Sequence, residues 1–60
     1  MDLPKKADDF NIGDRFSFNN AIHIVTGIGN RSVFTRRNGS NGIVHQATFH
    51  KIESLVRVGR

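Results

Sequence analysis

The stretch Phe16-Ser17-Phe18-Asn19-Asn20-Ala21-Ile22-His23-Ile24-Val25-Thr26 decides the fold class. Apolar and polar residues alternate on either side of an Asn-Asn pair, which is the period-two pattern of strands. Asparagine is the non-glycine residue that most readily takes a left-handed backbone. The pair therefore predicts a tight hairpin turn. One strand ends at Phe18 and the next runs from Ala21 to Thr26. Within the second strand Ile22 and Ile24 are expected on the core face, with His23 and Val25 on the other.

Toward the N-terminus, Phe10, Ile12, Phe16 and Phe18 keep the even spacing, interrupted at Gly13-Asp14, a turn or bulge element. Residues 1–9 carry Lys5 and Lys6 after Pro4 and no apolar run, so they do not form a secretory signal. They are expected as a disordered leader ahead of a single small β-rich domain, residues 10–60.

Toward the C-terminus, Gly27-Ile28-Gly29-Asn30 reads as a second turn and Arg31–Arg37 as a third strand, with Val33 and Phe34 on opposite faces. Asn38-Gly39-Ser40-Asn41-Gly42 contains two Asn-Gly pairs and reads as a loop, followed by a fourth strand from Ile43 to Gln46. After Thr48 the period changes. Phe49, Ile52, Leu55 and Val56 form one stripe of a helix. Thr48 suits its N-cap, Gly59 its C′ position, and Arg57 the negative end of its dipole. This predicts a helix over residues 49–58. The competing reading is a single turn at 48–52 and a fifth strand, Ser54 to Val58. The expected fold is α+β: a small, curled, four-stranded antiparallel sheet with a C-terminal helix. Its expected core is Phe16, Phe18, Ile22, Ile24, Val33, Ile43, Phe49, Ile52 and Val56.

The string Phe10-Asn11-Ile12-Gly13-Asp14-Arg15-Phe16, followed by three more short strands, resembles the opening of SH3-like small β-barrels. The resemblance covers residues 10–46. The helical period after Thr48 departs from the usual fifth strand of these barrels. What the resemblance implies is a binding scaffold, of a kind used for nucleic acids, for peptides and for oligomer assembly. Fold alone does not choose among these.

Sixty residues without cysteine can form neither a disulfide nor a thiolate zinc site. A chain this short buries only about 60% of the surface its unfolded form exposes. The missing cysteines suit a cytoplasmic location, and no apolar run approaches the roughly 18 residues of a membrane span. The formal charge of +4 is unevenly placed. In residues 1–30 three cations (Lys5, Lys6, Arg15) face four anions (Asp2, Asp8, Asp9, Asp14), a net −1. In residues 31–60 six cations (Arg31, Arg36, Arg37, Lys51, Arg57, Arg60) face Glu53 alone, a net +5. A basic half of this kind is the electrostatic footprint of a phosphate-binding surface.

Little here suits catalysis. His23, His45 and His50 match no compact metal-ligand spacing, and Asp14 is accounted for as a turn former. The serines lack a nucleophile-elbow context. Gly27-Ile28-Gly29 is no dinucleotide fingerprint, because Ser32 stands where its third glycine would fall. The chain therefore reads as a binding module rather than an enzyme, with no cofactor and no metal. The expected ligand is nucleic acid, duplex DNA in particular. Arg31, Arg36, Arg37 and Lys51 would touch phosphates, while Asn38, Ser40 and Asn41 would probe a groove. Against this, successive strand residues point to opposite faces, so Arg36 and Arg37 need not share a surface. The alternative is a protein-interaction or oligomerisation module: a subunit, an inhibitor or a piece of a larger protein.

Overall fold

The computed structural model describes residues 3–58. Asn19 and Asn20 both take the left-handed conformation, with φ of 56° and 63°. They form the two-residue turn between β1 (Arg15–Phe18) and β2 (Ala21–Ile28), with Phe18 opposite Ala21. Asn38 and Gly39, with φ of 56° and 84°, form the equivalent turn between β3 (Ser32–Arg37) and β4 (Ser40–His45). Positive φ at both central residues is what a type I′ hairpin turn requires. A 3-10 turn, Gln46–Lys51, then leads to β5 (Ser54–Val56), which pairs antiparallel with β1. The five strands make one open antiparallel sheet in the order β4-β3-β2-β1-β5.

This corrects the α+β expectation. Residues 49–58 form no helix, and the sheet has five strands, not four. The three-residue spacing of Phe49 and Ile52, both buried, belongs to the 3-10 turn and its C-cap. Beyond it the chain is drawn out by the free edge of β1, where Glu53 N–H donates to Ser17 O at 2.8 Å. A ten-residue helix is marginal on its own, whereas an unpaired strand edge is a row of unmet donors and acceptors. Gly59, the expected helix stop, lies outside the described residues. The Asn38–Gly42 loop also contracts: only Asn38-Gly39 turns, and Asn41-Gly42 sits inside β4.

The core consists of Ala7, Phe10, Phe16, Val25, Val33, Val44, Phe49, Ile52 and Leu55. Four expected members face outward: Ile22 (56% exposed), Ile24, Ile43 (53%) and Val56 (65%). Strand register is the cause: that of the two hairpins for the isoleucines, and that of β5 against β1 for Val56, which lies opposite Arg15. Phe16 lies opposite His23 and Ser17 opposite Ile22, and directly opposed residues share a face. With Phe16 buried, His23 and Val25 turn inward and Ile22 and Ile24 outward. In the same way Val33 faces Val44 and Phe34 faces Ile43, so Phe34 and Ile43 share the outer surface. The strip Phe49–Phe10–Phe16–His23 runs through the interior, with ring centroids 5.0–5.3 Å apart.

Asp14 is fully buried, with 0% exposure. Its Oδ2 accepts from Asn11 N–H at 2.9 Å and its Oδ1 from Val58 N–H at 2.7 Å. Arg57 Nη1 lies 3.3 Å from Oδ2 and also donates to Asp9 O. One carboxylate thus ties the turn before β1 to the chain leaving β5.

The segment ahead of Phe10 packs on the body of the domain. It makes a short 3-10 turn, Ala7–Asp9, with Pro4 and Ala7 buried and Leu3 against the core. Ala7 N–H donates to Gln46 Oε1 at 3.1 Å. Beginning the chain at Asp9 is expected to cost ~2 kcal/mol, lowering the melting temperature by about 8–16 °C. Thermal melts followed by circular dichroism measure this. A shift of only a few degrees would make the segment energetically idle.

Candidate functional site

Strand composition sets the electrostatics. None of the five strands contains an aspartate or glutamate. Of the carboxylates in residues 3–58, Asp14 is buried and paired, and Asp8, Asp9 and Glu53 lie outside the strands.

The structure separates the candidate residues instead of gathering them. Arg36 points from the outer face of β3, and its Nε reaches Asn41 Oδ1 on β4 at a long 3.5 Å. Arg37 points to the opposite side. With Ser40 it lines a hollow of about 240 Å³ at the hairpin end, beside Phe18, Asn19, His23 and Thr35. In that hollow His23 Nδ1 is 3.4 Å from Thr35 Oγ1, and the imidazole stacks on Phe16. Arg31 sits at the far end of β3 with Lys5 and His45. Lys51 lies below the Asn19-Asn20 turn with Thr48 and Glu53. Asn38 occupies the turn itself. Arg36 and Asn41 therefore share one surface, Arg37 and Ser40 another, while Arg31 and Lys51 stand apart.

Register builds a row across all five strands: Asn41, Arg36, Ile24, Arg15 and Val56 are successive partners. Arg15 and Arg36 flank Ile24 two strands apart, roughly 10 Å at the usual interstrand spacing. Neither is ion-paired to a described residue. Arg15 escapes a reading by sequence halves because it belongs to the acidic one. Alternation with buried Phe16 was the signal that places it outward.

Beside this row lies Phe34, 42% exposed, with Ile43 opposite it on β4 and Gly27 opposite it on β2. The β2–β3 register shifts between Val25 and Gly27, and Thr26 Oγ1 donates to Phe34 O at 3.2 Å. A methyl group on Gly27 would sit 3.1 Å from Phe34 Cδ2, and one on Gly29 3.4 Å from Cε2. The ring therefore leans over two glycines that leave room for it. Such bulges re-aim side chains.

No helix among the described residues is long and apolar enough to cross a membrane. No family model matches the chain, and neither do any curated proteins or solved structures at a significant level.

Proposed function

We propose that this chain is a nucleic-acid-binding module whose outer sheet face contacts phosphates through Arg36 and Arg15. The supporting observation is the row that carries both arginines across a sheet with no strand carboxylate. Guanidinium groups suit phosphate because their planar fork donates two parallel hydrogen bonds. The module is read as non-catalytic and cytoplasmic. The likeness of residues 10–46 to SH3-like barrels is part of the same proposal.

Salt decides between this reading and a protein-interaction module. The latter draws support from the exposed Ile22, Ile24, Ile43 and Val56. Phosphate binding weakens linearly as log affinity against log salt, and each lost contact lowers the slope by about 0.7 for single strands and 0.9 for duplexes. Arg36→Ala is expected to weaken binding by a similar factor for unrelated sequences and to reduce the slope by one contact. Arg37→Ala, on the other side of the strand, is expected to change it less. Anisotropy titrations at several salt concentrations measure both. A wild-type chain that binds no nucleic acid at about 50 mM salt, a permissive strength for phosphate contacts, overturns the reading.

A further inference from the structure

Within that reading, and resting on it, we infer that the ligand is a single strand, one base of which stacks on Phe34. Three observations carry this. A large apolar ring stands 42% exposed on β3, the strand next to the β4 edge, braced over Gly27 and Gly29. It lies on the same strand face as Arg36, two residues along, which is roughly 7 Å at the rise of a strand. Finally, no groove-probing loop forms at residues 38–42: Asn38-Gly39 alone turns, and Ser40 and Asn41 belong to β4.

A duplex fits this surface less well. Its base faces are occupied by stacking, so Phe34 would find none to stack on, and the sheet would be offered only groove edges and phosphates. A single strand exposes every base face, so an aromatic ring beside cations is matched on both counts: stacking for the ring and phosphates for the guanidiniums. The absence of tyrosine and tryptophan makes Phe34 the aromatic residue on which this rests, because Phe10, Phe16 and Phe49 are buried. Phe18, partly buried against the core, points to the inner side.

The test uses the full chain and three labelled probes: an oligodeoxythymidylate of about 12 nucleotides, an oligouridylate of the same length, and a duplex of that length. Wild type is expected to bind the single strands more tightly than the duplex. Phe34→Leu, which keeps the apolar bulk over Gly27 and removes the aromatic face, should weaken single-strand binding roughly 5- to 150-fold, the loss of one stacked base. Phe34→Trp should retain or strengthen it. Duplex affinity should stay within about twofold in both variants, whose folding is verified by thermal melts. Oligouridylate and oligodeoxythymidylate separate RNA from DNA as the source of the strand. If Phe34→Leu binds single strands as tightly as wild type while Arg36→Ala does not, stacking is overturned and phosphate binding stands. If wild type binds no probe, both fall. Self-association in sedimentation, lost in Phe34→Leu, would then assign the face to a second copy of the chain.

Discussion

Phe16→Ala is expected to abolish cooperative unfolding. Phe16 and Phe49 are the largest fully buried side chains among the described residues, and the Phe16 ring touches Phe10 at 5.3 Å, stacks on His23 at 5.3 Å and meets Phe18 at 6.5 Å. Truncating a buried phenylalanine costs about 3–5 kcal/mol. Sixty residues at roughly 0.05–0.15 kcal/mol each hold about 3–9 kcal/mol in total. The loss is therefore of the same order as the whole stability of the domain. Far-ultraviolet circular dichroism during urea titration reads the result. A sigmoidal transition with a loss below about 1 kcal/mol would mean that the core rearranges around the gap.

Asp14→Ala is expected to cost about 3 kcal/mol. The carboxylate accepts two backbone N–H groups, at 2.9 and 2.7 Å, and faces the Arg57 guanidinium. A hydrogen bond to a charged group contributes about 1.5–3 kcal/mol, and removing one member of such a set strands its partners. Arg57 is half exposed, so solvent reduces the share owed to the ion pair itself. Asp14→Asn separates the two contributions. It keeps one acceptor oxygen, but its amide group confronts a donor, so a smaller loss of roughly 1–2 kcal/mol is expected. Equal stability of wild type and Asp14→Ala in denaturant titrations would make the buried carboxylate dispensable.

Much of the sheet was legible. Alternation gave strands around Asn19-Asn20, and the turn there appears as read, with both asparagines left-handed. The outward faces of Ile22 and Ile24 are implicit in the turn itself. A two-residue turn at Asn19-Asn20 opposes Phe16 to His23 and Ser17 to Ile22, so Phe16 and Ile22 cannot share the interior. Pairing parity outranks the hydrophobicity of single positions. The same parity at Asn38-Gly39 buries Val44 beside Val33 and leaves Ile43 outside.

Other features had no local signal. Asp14 resembles any turn aspartate, because two of its three hydrogen-bond partners, Arg57 and Val58, lie at the far end of the chain. The bulge near Thr26 follows from the mismatch of two registers that only the assembled sheet brings together. At the candidate interface, the outward direction of Arg36 follows from the burial of Thr35 and the strand period. Its partnership with Arg15 does not, since it spans three strands.

The pairing of β1 with β5 also has a kinetic side. Hairpins closed by two-residue turns form in about 1–10 μs, so β1 through β4 can assemble from near neighbours. β5 must instead join Arg15 to Val56 across most of the chain, and the entropy of closing so long a loop is spent before its contacts are made. The last strand is thus expected to dock after the folding barrier and to leave early on the way out. The Asp14 clip then acts chiefly as a latch on unfolding: weakening it speeds escape from the native state and leaves the rate of folding almost unchanged.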